Sequence, residues 1–246
     1  MRQMRTFSAI AILTLACSAF VTTGTSPASA QEENHGGHSG AFEHDASHGA
    51  AVFADEGRVN VAVFLYEGAL LLDYGIAAEM FLAADFMRAF NVYTVSESGA
   101  VNISILGETQ TDFTFENAPT ADVVIVPGGP LWSQAGQDPE MAGFLSSQHE
   151  EGATLFSICT GALLLAQAGF LDGREATTLH AGMHMMETIS PTTIVREATF
   201  VDGGDIVTAA GSGTAIEATL ALIARLGSPE IAEDLRNRYL DYPHPG

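Results

Sequence analysis

The stretch TLFSICTGALLLAQAG, residues 154–169, runs apolar to a single cysteine, crosses a Thr-Gly pair and turns apolar again with a different period. Up to Ile158 it reads as a buried strand; beyond Gly161 it reads as a helix, with Gly169 as its C-terminal cap. A cysteine in an apolar run is ordinarily core filling, because free Cys is among the most buried residue types. Here Cys159 stands where strand gives way to helix, with the small residues Ser157 and Gly161 two positions away on either side. That is the spacing a sharp strand-to-helix turn needs if a nucleophile is to stand clear of its neighbours. The helix that follows would aim its positive end at the sulfur and favour thiolate over thiol.

Working outward, the same alternation repeats. RVNVAVFLY (58–66) reads as a buried strand, and LDYGIAAEMFLAADFMRAF (72–90) as a helix with Ile76, Met80, Phe81 and Ala84 on one face. NVYTVSES (91–98) and VNISILG (101–107) read as strands, and ADVVIVPGG (121–129) as a strand stopped by Pro and two glycines. DPEMAGFLSSQHEEG (138–152) reads as a helix capped by Asp138 with Pro139 in its first position. EATTL (175–179) reads as a strand, AGMHMMETI (181–189) as a short helix and ATFVDGGDIVTAAG (198–211) as a hairpin. Two helices follow, the second starting at Ser228 and Pro229. Apolar strands alternating with helices predict an α/β fold with a mostly parallel sheet covered on both faces, a three-layer sandwich of flavodoxin-like form. No internal repeat is visible.

The ends and the charge narrow the function classes. Residues 1–30 carry Arg2 and Arg5, an apolar run and Ala28-Ser29-Ala30 before Gln31, the layout of a secretory signal peptide. The order of residues before Cys17 fits a lipid-attachment box poorly. The mature protein is expected to be exported, periplasmic or secreted, and no later apolar run reaches the roughly 20 residues of a spanning helix. Removal of the leader leaves Cys159 as the sole cysteine, an unpaired thiol in an oxidising compartment. Residues 31–57, rich in Gly, His and acids, read as a flexible linker; His35, His38, His44 and His48 within it could bind a transition metal loosely, but no rigid scaffold fixes their geometry and no metal site is expected. Residues 58–246 are expected to form the domain. The formal net charge is −21, and there is no lysine. An acidic surface repels phosphate backbones, so nucleic acid is not an expected partner. Without lysine there is no lysine Schiff base and no Gly-Lys-Ser/Thr phosphate loop.

In a parallel sheet of this kind ligands bind beyond the carboxyl ends of the strands. Cys159 lies at one such end, and the turn VIVPGGP lies at another. Gly128 and Gly129 in that turn, with the amide of Thr160, are candidates for an oxyanion site.

The segments FLYEGALLLDYGIAAEMF, ADVVIVPGGP, FSICTGALLLAQAGFLDGREATTLH and ATFVDGGDIVTAAGSGTAIEATLALIARL together resemble the ThiJ/PfpI superfamily, the class I glutamine amidotransferase-like fold. The resemblance spans about residues 58–242 and is closest to isonitrile hydratases and to the sensor domains of AraC-type regulators. The regulators carry a helix-turn-helix domain downstream; with an export signal in front, a DNA-binding role is not expected. The resemblance implies that Cys159 is the nucleophile and that Asp73 is the acid beside it. A carboxyl facing a thiolate should be raised in pKa and act protonated, as donor or proton shuttle, although Asp73 is also placed to cap a helix. Glu79, further along that helix, ranks after it. The family's Thr-Thr-His motif is TTLH here, so His180 comes one position late and, on a strand, would face away from the site. His180 and His184 are spaced as ligands on one helical face, but a third ligand is missing. The implied activity is a cofactor-free, cysteine-dependent hydratase or hydrolase acting on a small electrophile. The competing readings are a ligand-binding or redox-sensing domain without turnover and an exported structural protein with a vestigial pocket. Family members commonly pair as homodimers, which the periodicity does not address.

Overall fold

The computed structural model describes residues 57–84 and 89–240. The expected leader, and all of the expected linker but Gly57, lie outside the described residues, as do the linker histidines. Along the chain run β1 (Val59–Phe64), α1 (Leu71–Ala84), β2 (Phe90–Ser96), β3 (Ala100–Ile103), β4 (Gly107–Gln110), β5 (Phe113–Thr114) and β6 (Val123–Val126). Then come α2 (Trp132–Gln137), α3 (Pro139–Glu150), β7 (Thr154–Ile158), α4 (Gly161–Gln167), β8 (Glu175–Ala176) and α5 (Met183–Ile189). The last elements are β9 (Thr193–Ile194), β10 (Phe200–Asp202), β11 (Ile206–Ala209), α6 (Ser212–Leu226) and α7 (Pro229–Tyr239).

Seven strands form the main sheet in the order β10-β11-β7-β6-β1-β2-β5, parallel except for the β10–β11 hairpin. Strands β6, β7 and β11 are buried at every position, because helices cover both faces and no residue can point to water. Helices α1, α6 and α7 pack on one another, and α4 packs against α2 and α5. This is the expected three-layer α/β sandwich. Phe64, Phe115 and Phe144 stack within the apolar interior, with centroids 5.6 Å and 4.5 Å apart along that chain.

Helix boundaries follow local chemistry where a cap exists. Asp138 accepts from the amides of Glu140 and Met141, with Pro139 in the first turn, and the Ser228 hydroxyl accepts from the Ile231 amide. Gly169 takes φ +85° just after α4. Two readings are corrected. EATTL is a strand only at Glu175–Ala176, paired with β9 outside the main sheet, because the next two residues use other partners. The Thr177 amide donates to Thr208 Oγ1 and the Thr178 hydroxyl to the Cys159 carbonyl. The second correction is α2, a helix where none was expected. Its short sequence WSQAGQ has an internal glycine, which works against local helix formation; Gly136 instead lets it lie against Leu164 and Gln167.

Sheet order fixes where a site can form. From β1 the chain steps outward one way to β2 and β5, then returns to the other side of β1 for β6 and β7. The loops after β1 and β6 therefore diverge, leaving a crevice at the carboxyl ends of these neighbouring strands. Those loops lead to Asp73 and to Gly128, and the adjacent β7 leads to Cys159.

Candidate active site

Cys159 has φ +59°, the sole non-glycine residue in the left-handed region among the described residues. For a side-chain-bearing residue this conformation costs about 1–2 kcal/mol and persists only where surroundings enforce it. Three backbone contacts do so: the Cys159 amide donates to the Ala209 carbonyl at 3.0 Å, Thr178 Oγ1 donates to the Cys159 carbonyl at 2.8 Å, and the Ala162 amide turns back to the same carbonyl at 3.4 Å. Gly161 completes the turn by close approach, since a Cβ there would lie 2.1 Å from the Val126 carbonyl oxygen. Gly161→Ala is therefore expected to cost about 3 kcal/mol and to displace the Val126–Gly129 turn, read as a fall in denaturant midpoint together with loss of activity.

Asp73 comes from the first turn of α1 and is 1 % exposed. It does not serve as a helix cap. One oxygen accepts from the Gly128 amide at 3.0 Å, the other from the Ser212 hydroxyl, and the carboxyl hydrogen-bonds the Cys159 side chain. Burial pushes its pKa above the usual carboxylate range, against the pull of these three hydrogen bonds. The Cys159 thiol is half-buried, and burial and the neighbouring Asp73 push it up to about 11, with the Thr160 amide pulling the other way. Burial and the neighbouring carboxyl thus work against the expected thiolate. Helix α4 is only seven residues long, and its N-terminus does not outweigh desolvation plus an adjacent carboxylate. Asp73 and Cys159 thus compete for one proton: burial raises the affinity of both, and the amide and hydroxyl donors on its two oxygens favour the Asp73 carboxylate.

The expected oxyanion donors are already committed. The Gly128 amide is used by Asp73, the Gly129 amide by Thr160 Oγ1 at 2.9 Å, and the Thr160 amide faces the sulfur. Gly128 and Gly129 are glycines for space: a Cβ on Gly128 would lie 2.6 Å from the Asp73 carboxylate, and one on Gly129 2.7 Å from the Gly68 carbonyl. His180 is exposed and heads a 3-10 turn (His180–Gly182), so strand alternation does not orient it. His184 is exposed near Glu187, and Glu79 lies on the exposed face of α1; neither is brought to the thiol. Among the described residues no group of three or more His, Cys, Asp and Glu is placed to hold a metal ion.

The structure also adds residues that the sequence reading does not single out. Tyr66, fully buried, donates to the Pro127 carbonyl at 3.2 Å, and burial with Asp73 and Cys159 nearby holds its hydroxyl protonated. Thr178 pins the turn from below, and Ser212 reaches Asp73 from 139 residues away in sequence.

A family model described as the DJ-1/PfpI family matches residues 59–225. An isonitrile hydratase of Pseudomonas putida is 32% identical over 120 residues, covering 49% of this chain and 52% of that protein. The HTH-type transcriptional regulator CdhR of Pseudomonas aeruginosa is 29% identical over 147 residues, covering 59% of this chain and 43% of the regulator. The chain thus spans about half the length of these relatives. Among solved structures, a ThiJ/PfpI family protein from Pseudomonas syringae superposes with TM-score 0.67 at 24% identity, covering 76% of this chain and 78% of that one. Drosophila melanogaster DJ-1beta superposes with TM-score 0.66 at 24% identity, covering 76% of this chain and all of that one.

Proposed function

The chain belongs to the DJ-1/PfpI family, and from that premise we propose that it is an exported cysteine-dependent hydratase acting on a small isonitrile-like electrophile. The observation that carries the reading is the pairing of Cys159, held at φ +59°, with the buried Asp73. The leader pattern of residues 1–30 supports export.

The reaction moves the one proton that Asp73 and Cys159 share. As Sγ bonds to the terminal carbon of an isonitrile, the Asp73 carboxylate takes the thiol proton and delivers it to that carbon, leaving a thioimidate on Cys159. Water then adds to the same carbon and gives up both protons, one to Asp73 and the other to the nitrogen as the carbonyl forms. The C–S bond breaks, Asp73 returns the proton to sulfur, and an N-substituted formamide leaves. No oxyanion develops in the attack step, which suits a turn whose Gly128 and Gly129 amides are already bonded. Acyl transfer would need such donors free, so the geometry supports hydration over hydrolysis.

The test is a panel of neutral isonitriles beside matched amides and thioesters, followed by NMR. N-formamide from at least one isonitrile is the expected outcome; cleavage of the acyl compounds alone would overturn it. The likeness to transcriptional regulators supports a second reading, binding without turnover. In that case the same compounds shift the melting temperature and no product forms. A redox sensor is supported less, because a thiol held up to about 11 is a poor target for mild oxidants at neutral pH.

A further inference from the structure

We propose that Ser212 is a positioning residue that decides which member of the Asp73–Cys159 pair carries their shared proton; the inference rests on the hydratase reading above. Ser212 is the first residue of α6, a 15-residue helix, and its hydroxyl donates to Asp73 Oδ1. The helix thereby brings a donor and the positive end of its dipole to the same carboxylate. Gly128 serves the other oxygen from the β6 turn. Among the described residues, the titratable groups that face Asp73 are the Cys159 thiol and the Tyr66 hydroxyl.

The pair holds one proton near neutral pH, in one of two arrangements: carboxylate with thiol, or carboxylic acid with thiolate. Only the carboxylate gains fully from the Ser212 hydroxyl, because a charged acceptor binds a donor more strongly than a neutral one. Ser212 therefore favours carboxylate with thiol, the arrangement in which Asp73 can act as base. Removing the hydroxyl moves the balance toward acid with thiolate by about tenfold, the effect of one hydrogen bond to a charged group. The first proton lost by the pair also leaves less readily, so the acid limb of the pH–rate profile moves up by about one pH unit.

The experiment compares Ser212→Ala and Ser212→Thr with wild type by two independent readouts. In Ser212→Ala the acid limb of kcat against pH should rise by about one unit, kcat near that limb should fall several-fold, and KM should change little. Alkylation of Cys159 by iodoacetamide at pH 7 should become several-fold faster, since more thiolate is present. Ser212→Thr keeps a hydroxyl and should restore both. A wild-type pH profile and alkylation rate in Ser212→Ala would overturn the proposal, as would equal defects in the Ala and Thr variants. Alkylation needs no turnover, so failure to find a hydrated substrate would count against the proposed function and leave this test standing.

Discussion

Replacing Asp73 by asparagine is expected to slow turnover by about a hundred- to ten-thousandfold while making Cys159 more reactive toward iodoacetamide at neutral pH. The opposite signs follow from the two roles of one carboxylate. As a base it accepts the thiol proton and returns it, and an amide cannot. As a buried negative charge beside sulfur it opposes a second one, and with burial it holds the thiol up to about 11. In Asp73→Asn that opposition is gone, so the thiol pKa falls toward the ordinary range and the alkylation midpoint moves down in pH. An enzyme in which Asp73 only braced the fold would lose turnover and alkylation together. The fold itself should tolerate the change, because asparagine still offers one oxygen to the Gly128 amide or to the Ser212 hydroxyl.

Cys159→Ala is expected to abolish turnover, a loss of at least about ten-thousandfold, with no new base or nucleophile to take its place. The fold should persist, because the turn is held by the Cys159 amide and carbonyl, bonded to Ala209 and Thr178, and neither bond uses sulfur. Equal thermal melting of the two proteins would separate lost chemistry from lost structure. Residual formamide production at more than a thousandth of the wild-type rate would overturn the covalent mechanism, leaving Asp73 activating water directly.

Cys159→Ala and Asp73→Asn share a target, so their effects should not add. Once the nucleophile is gone the base has no thiol to serve, and the double variant should be no slower than Cys159→Ala alone. Full additivity would place Asp73 in a separate step.

Much of the architecture was legible in local patterns. Continuous apolar runs at β1, β6 and β7 announced a sheet buried on both faces, and the change of period at Cys159 announced the turn that follows β7. Asp138 and Ser228, each ahead of a proline, announced α3 and α7. Local pattern and structure part where partners distant in sequence replace local ones. Thr177 and Thr178 look like strand residues, but their hydrogen bonds go to β11 and to the Cys159 turn, so the strand stops before them. His180 then falls in a 3-10 turn, and the alternation used to place it does not apply.

The site divides along the same line. That a lone thiol stands at a tight turn is a local property, set by Ser157, Cys159 and Gly161 within five residues, and the sequence alone determined it. That burial and Asp73 raise the thiol's hold on its proton, that the Gly128 and Gly129 amides are spent inside the turn and that Ser212 serves Asp73 were decided only by the tertiary structure. The reason is physical: periodicity and turn chemistry act between neighbours on the chain. Proton affinity depends on burial and on charges and donors within a few ångströms. Here the loops after β1, β6, β7 and β11 supply those groups, and only folding brings the loops together.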